Sequence, residues 1–226
     1  MTKRKPSIDT HAERTHLALE QGSPEWIAAR IGIPTASQFS RAITKTGALS
    51  ASRGKYVCEL LAEWILGAAL DPYVSEWMER GLDLEESARA WYELQRGCTV
   101  EPGGFHVYDR GDGSLAGASP DGLIAKDGLL EIKSPSPGVH VSNLLNMDQH
   151  RTQVQGQLWV CGKERRWCDV VSYHPDMPSA IVRVPRDDDY IGKLELAVGA
   201  LQDDLRAAAV KLVRDGYVDA DKLKVA

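Results

Sequence analysis

Three side chains near the middle of this sequence have the types and spacing for chemistry. Asp121 stands in Ser119-Pro120-Asp121-Gly122, and ten residues later Glu131 and Lys133 stand in Leu130-Glu131-Ile132-Lys133. Residues two apart on a strand leave the same face, so Glu131 and Lys133 project together. The Lys126-Asp127-Gly128 turn predicts a hairpin that returns the chain so that Asp121 comes near Glu131. Two hard carboxylates with a lysine at one sheet end make a Mg²⁺ site with a cation beside it. Phosphodiester hydrolysis needs those parts. The metal activates water and neutralises charge developing at phosphorus, while the lysine orients the nucleophile or stabilises that charge. A bare Glu-x-Lys also occurs on solvated strand faces as a cross-paired couple. Three facts weigh against that plainer reading. No other acid-x-Lys occurs in the chain, an aspartate precedes it, and Leu129, Leu130 and Ile132 mark a strand entering a core.

The elements that must hold these residues follow from local signals. Ser23-Pro24-Glu25-Trp26 starts a helix, with Ser as N-cap, Pro at the first position and an acid in the first turn. Thr35-Ala36-Ser37-Gln38 fits a capping box and predicts a second start. Residues 52–66 carry apolar side chains at 57, 60, 61, 64 and 65, an amphipathic helix closed by Gly67. Residues 73–96 read as helical, with Gly81 in the middle. The stretch from Thr99 to Lys133 is glycine-rich and holds short strand-compatible runs, FHVY, SLAGAS, DGLIA and LLEIK. After Ser142 the pattern returns to helix, with Met147, Arg151, Val154, Leu158 and Cys161 on one stripe. Strands are expected at 166–173 and 180–184, and a last helix at 188–214 with Ile191, Leu194, Val198, Leu201 and Leu205 inward. This order predicts a mixed α/β domain.

Composition bounds the setting. The 226 residues suit one domain, residues 1–226, with residues 1–16 polar and expected as a loose arm. Hydrophobic residues make up 43% and charged residues 26%, which excludes disorder, collagen-like repeats and a coiled coil. The longest apolar run, Trp64 to Leu70, is far short of a bilayer span, and no apolar stretch follows the charged N-terminus. The chain therefore reads as soluble and intracellular. The net charge of −5 neither points to nucleic acid nor excludes it, because a basic groove can sit in an acidic shell. Cys58, Cys98, Cys161 and Cys168 form no CxxC pair, so they are expected as buried, reduced thiols rather than zinc ligands.

The pattern Asp121, Glu131, Lys133 is that of the PD-(D/E)xK nuclease core. Further motifs stand in a fixed order from about Glu20 to Leu212: Trp26-x-x-x-Arg30, Ile33-Pro34-Thr35-Ala36-Ser37, Arg80-Gly81-x-x-x-Glu85, SPDG at 119–122, LLEIKSP at 129–135, and Gln153-Val154-Gln155 before Leu158-Trp159-Val160. As an ordered set they resemble the phage-type recombination exonucleases of the lambda exonuclease family, the YqaJ-like viral recombinases or alkaline exonucleases.

The resemblance implies a restriction-endonuclease-like α/β fold, a central mixed β-sheet flanked by helices. It implies that Asp121, Glu131 and the backbone carbonyl of Ile132 hold catalytic Mg²⁺, two ions, for which Mn²⁺ can substitute. Lys133 would act on the attacking water, and Glu85 would contact the metal site from its helix. Arg30, Ser37 and Ser119 would form a pocket for the 5′-phosphate of a DNA end, where a guanidinium forks onto phosphate oxygens and hydroxyls add donors. Gln153 would lie close to the active site. Its helix agrees, since His150, Gln153 and Gln157 share one face. Without the family, Arg30 reads as a surface cap or pair, Ser37 as a helix-start residue and Glu85 as an exposed acid. His150 departs from the lambda enzyme's tyrosine. It would contact the phosphate or the metal-bound water, or only solvate its helix. Met78 would wedge into the duplex fork or sit in the core.

The activity implied is 5′→3′ digestion of one strand of linear double-stranded DNA to mononucleotides, leaving a 3′ strand for a phage-type single-strand annealing protein. A homotrimeric ring and the cytoplasm of a bacterial host carrying the phage or prophage are implied with it, and no membrane. Two alternatives stay open: an endonuclease of restriction or repair type on the same core, and a non-catalytic DNA-end-binding module. Iron–sulfur relatives of this core need more cysteines after the catalytic strand than Cys161 and Cys168 supply.

Overall fold

The computed structural model describes residues 12–70 and 76–223, apart from the side chains of residues 76–83. Met78 and Arg80 lie outside the described side chains, and residues 1–11 of the expected arm outside the described residues. Among the described residues there are six α-helices and eight strands: β1 (Glu13–Leu17), α1 (Pro24–Ala29), α2 (Arg53–Leu66), α3 (Glu76–Arg96), β2 (Val100–Glu101), β3 (Phe105–Asp109), β4 (Leu115–Ala118), β5 (Gly122–Ile124), β6 (Gly128–Lys133), α4 (Pro137–Leu145), α5 (Arg151–Cys161), β7 (Trp167–Ser172), β8 (Ala180–Pro185) and α6 (Asp188–Arg214). None of the helices among the described residues is long and apolar enough to cross a membrane.

Two sheets result. The larger has the order β2-β5-β6-β7-β8, antiparallel except for the parallel pair β6–β7; the smaller is β1-β3-β4. A parallel pair needs a long crossover, and α4 and α5 supply it. The expected α/β fold with a mixed central sheet is therefore the observed one. Strand β6 is covered on both faces, and its alternation sorts the side chains. Leu130 and Ile132 join Ala88 and Tyr92 of α3 in one apolar layer, while Leu129 joins the layer of α2, α5 and α6. Glu131 and Lys133, in phase with Leu129, face the α5 side.

Helix α5 lies at the centre of that second layer, with every residue from Val154 to Val160 buried. Gly156 makes this possible: a Cβ there would meet the Phe39 ring at 2.5 Å. Buried glutamines on such a helix must be satisfied. Gln155 donates to the Pro185 carbonyl at 2.8 Å and accepts from Asp187 N–H at 2.9 Å, which ties α5 to the start of α6. The Gly67 cap of α2 is as expected, with φ +63°, as is the Ser23 cap of α1, which accepts from Trp26 N–H at 3.2 Å. No side chain of α1 is buried.

Several expectations need correction. Residues 13–17 are not part of a loose arm but form β1, paired antiparallel with β3 from Glu13↔Asp109 to Leu17↔Phe105. Four of the five side chains are exposed, so no apolar pattern marked the strand. Backbone pairing makes it, helped by Arg14 over the Tyr108 ring at 4.7 Å and by His16 stacked on His106 at 4.3 Å. The capping box at Thr35 is not made: Ala36–Arg41 is a 3₁₀ helix, and the Thr35 hydroxyl is engaged with Arg30 and Ser37 instead. Of the cysteines only Cys168 is buried, and Cys58 is exposed on α2, although all four are free thiols.

The stacked histidines give the fold a pH signature. Burial, reinforced by His16, pushes His106 down to about 4, and its Nε2–H donates to the Gly103 carbonyl at 3.0 Å. A histidine with a lowered folded value contributes stability above its unfolded value near 6.5, and loses it as pH falls through the folded value. Thermal melts taken from pH 7 to pH 4 should therefore show a loss of about 3 kcal/mol from this ring alone. His106→Gln, which keeps a donor for Gly103, should flatten the profile. An unchanged slope in that variant would refute the assignment.

Candidate active site

The β5–β6 hairpin does what the Lys-Asp-Gly turn predicts. Gly122 pairs with Leu130, so Asp121 and Glu131 stand at the next, open position of the ladder. The Asp121 N–H donates to the Leu130 carbonyl at 3.0 Å, and its carboxylate accepts from Ile132 N–H, which has run past the end of β5. Glu131 is 2% exposed. Its Oε1 accepts from Lys133 Nζ at 2.5 Å and from Gln153 Nε2 at 2.6 Å, and its Oε2 from Gln157 Nε2 at 2.5 Å. Lys133 Nζ also donates to Gln153 Oε1 at 3.2 Å.

Burial first, then the charges of Glu131 and Glu85, hold Asp121 well above the usual carboxylate range. Burial alone would lower Lys133, but Glu131 and Asp121 outweigh it and raise the ammonium above its ordinary value. Without metal, Lys133 thus stands as an ammonium donating to Glu131 and Gln153. Glu85 reaches the site electrostatically from α3, with its Oε1 accepting from Arg89 at 2.8 Å.

Among the described residues no three or more His, Cys, Asp or Glu side chains gather tightly enough to hold a metal by themselves. The donor set nevertheless suits a hard cation. Three donors leave about one of the four acceptor positions of Glu131 unspent, and Gln157 Oε1 is buried without a partner. Asp121, Glu131 and the Ile132 carbonyl are all oxygen donors, the type Mg²⁺ takes while keeping several waters. A cation between the carboxylates would also relieve the repulsion felt by Asp121.

Arg30, Ser37 and Ser119 come together beside this hairpin through two residues that sequence reasoning did not single out as site residues. The Arg30 guanidinium stacks over the Trp26 ring at 4.0 Å and donates to Thr35 Oγ1 at 3.4 Å. Thr35 Oγ1 lies 3.3 Å from Ser37 Oγ, and Trp26 Nε1 donates to Ser119 Oγ at 3.0 Å. Burial lowers the Arg30 value, so its charge is poorly solvated and suited to an anion. Gln157 joins the two halves, donating to the Ser119 carbonyl at 3.5 Å as well as to Glu131.

The YqaJ-like viral recombinase domain matches residues 25–164, from Glu25 in α1 past the end of α5. The chain belongs to that family. The same YqaJ-like fold is found in an alkaline exonuclease (LHK-Exo) from Laribacter hongkongensis, 34% identical over 85% of this chain and 97% of that one, with a TM-score of 0.75. The structure of LHK-Exo in complex with dAMP matches equally well. A phage-related exonuclease from Haemophilus somnus, 14% identical over 88% of this chain and 97% of that one with a TM-score of 0.60, shares the fold. No curated protein matches. Membership places this YqaJ-like chain among the alkaline-exonuclease-type nucleases.

In this YqaJ-like site, then, the structure brings together Asp121, Glu131, Ile132, Lys133, Glu85 and Gln153, with Arg30, Ser37 and Ser119 alongside. His150 sits at the entry to α5, where its Nε2 lies 3.1 Å from Asn143 Oδ1. Gln157 is the residue most clearly under-read. Its place one helical turn beyond Gln153, on the face shared with His150, was the available signal.

Proposed function

We propose that the chain is a Mg²⁺-dependent 5′→3′ exonuclease that digests one strand of linear double-stranded DNA to mononucleotides. It leaves a 3′ single strand for a phage-type annealing protein to pair. The observation that carries this reading is the Glu131 carboxylate, held on both oxygens by Lys133, Gln153 and Gln157, with Gln157 reaching on to the Ser119 carbonyl beside the Arg30 cluster. Cleavage and end recognition are thereby held in register.

Bound Mg²⁺, two ions with Mn²⁺ as substitute, supplies the activated water and neutralises charge on the scissile phosphate. The chain's own residues do the rest. Asp121 and Glu131 hold the cation site. Lys133, kept protonated, donates to the attacking water or to the oxygen that gains charge. Arg30, Ser37 and Ser119 bind the terminal 5′-phosphate, with Trp26 keeping the guanidinium plane in place. The dAMP bound by the Laribacter relative is a nucleoside monophosphate, the product class expected here.

A ring of three subunits around the duplex fits the outward apolar side chains of α4, Val139, Val141, Leu144 and Leu145, which a subunit contact would cover. Sedimentation should report a trimer. The setting proposed is the cytoplasm of a bacterial host carrying the phage or prophage.

The direct test is digestion of linear duplexes with 5′-phosphate or 5′-hydroxyl ends, with closed circular DNA alongside, with and without Mg²⁺. Mononucleotide release from the phosphorylated linear duplex alone supports the proposal, whereas cutting of the circle would mean an endonuclease. Arg30→Ala should remove most of the preference for phosphorylated ends, on the order of 10-fold to 100-fold in kcat/KM. A preference that survives would place the phosphate elsewhere.

A further inference from the structure

His150 is a predicted site residue still without a role, and the structure fixes its chemistry through a relay that starts far from it. The Pro178 carbonyl can only accept, and it lies 3.0 Å from His140 Nε2, so that nitrogen carries a proton. In the neutral ring His140 Nδ1 is then an acceptor, and it lies 2.8 Å from Ser172 Oγ, which must donate to it. The hydroxyl has one proton, so Ser172 accepts from Asn143 Nδ2 at 3.1 Å. Asn143 therefore presents Oδ1 to its other neighbours, Gln149 Nε2 and His150 Nε2 at 3.1 Å. With His140 neutral, each direction along the chain follows from the one before, and the chain ends with the His150 proton on Nε2.

The relay is deeply buried: His140 and Ser172 have no exposed surface and Asn143 1%. Ser172 is the β7 partner of Lys133 in the parallel ladder, so the relay is anchored beside the catalytic strand. At the far end His150 feels both Lys133 and Glu131, and burial above all lowers its value to about 4. In the neutral ring the proton sits on Nε2, toward Asn143 Oδ1. Its Nδ1 makes no hydrogen bond among the described residues and is left as a lone pair.

We propose that His150 is a positioning residue whose Nδ1 accepts a hydrogen bond from the attacking water, in a tautomer imposed by the Pro178–His140–Ser172–Asn143 relay. A phosphate oxygen is itself an acceptor and repels such a lone pair. A water has a proton to give. Of the three roles open to His150 from sequence, the relay selects the one facing the nucleophile. The inference deepens the nuclease reading and rests on it.

Two substitutions separate this role from a purely structural one. His150→Asn keeps an acceptor near the Nδ1 position but loses the Nε2 donor to Asn143. His150→Gln keeps a donor near Nε2 but loses the acceptor. The expected result is kcat close to wild type for His150→Asn and lower by about 10²-fold for His150→Gln, with KM unchanged in both and both folded by circular dichroism. The reverse order would show that His150 only anchors its turn, and equal effects would show no acceptor role; either overturns the proposal. Nitrogen-15 spectra of the full chain without metal should show His150 as the Nε2–H tautomer, with mixed tautomers in Asn143→Leu. A wild-type Nδ1–H tautomer would also overturn it. The tautomer is read without DNA, so a chain that fails to digest DNA would sink the proposed function and leave this measurement interpretable.

Discussion

Lys133→Ala should lower the single-turnover cleavage rate by about 10³-fold while leaving the chain folded and DNA-end binding nearly unchanged. The asymmetry follows from how Glu131 is held. Removing Nζ takes one donor and its charge from Oε1, but Gln153 still bonds that oxygen and Gln157 the other, so Glu131 keeps a hydrogen bond on each oxygen. What disappears is a buried positive charge aimed at a site where charge develops, and that is worth most where water is scarce. Lys133→Arg should rescue poorly, because a planar fork cannot occupy the position of a compact ammonium held by Glu131 and Gln153. Rates within about tenfold of wild type in the alanine variant would remove Lys133 from the chemistry.

Asp121→Asn should abolish cleavage, on the order of 10³-fold or more, and yet stabilise the metal-free protein. Asp121 is raised by burial and then by Glu131. A carboxyl whose folded value lies above its unfolded value near 4 weakens the fold as pH rises from that point through the folded value. The cost grows as pH rises from the unfolded value toward the folded one. Asparagine removes it and keeps an oxygen for the Ile132 N–H. The metal-free variant should melt above metal-free wild type at pH 8, with the gap closing toward pH 4. Added Mg²⁺ should raise the wild-type Tm through binding to the folded state and leave the variant's unmoved. If wild type shows no metal-dependent shift, the carboxylate pair is not the metal site.

Much of this site was legible because it is local. Asp121, Glu131 and Lys133 lie on one hairpin whose turn residues announce it, and strand alternation alone puts Glu131 and Lys133 on one face. The caps at Ser23 and Gly67 and the inward stripe of α6 follow from equally short-range rules. What escaped was set by tertiary contact. Strand β1 is polar and exposed, and is a strand only because β3 offers its edge. Helix α4 is inverted: it buries His140 and Asn143 and exposes Val139, Val141, Leu144 and Leu145, so a search for an apolar stripe misses it. Trp26 owes its role to a partner far along the chain, Ser119 being 93 residues away.

The lightness of α1 has an evolutionary consequence. It carries Trp26 and leads into Arg30, yet contributes no side chain to the core and is tied to the catalytic segment by the hydrogen bond from Trp26 to Ser119. The proposed cleavage centre, by contrast, is built, Glu85 of α3 apart, from one stretch of chain between Ser119 and Ser172 that includes β6, covered on both faces. Substitutions in α1 can therefore drift with little penalty to folding, and under the proposed function each would change the grip on a DNA end while leaving the hydrolytic centre intact. Lineages descended from such a chain should diversify in the termini they accept far faster than in the reaction they perform.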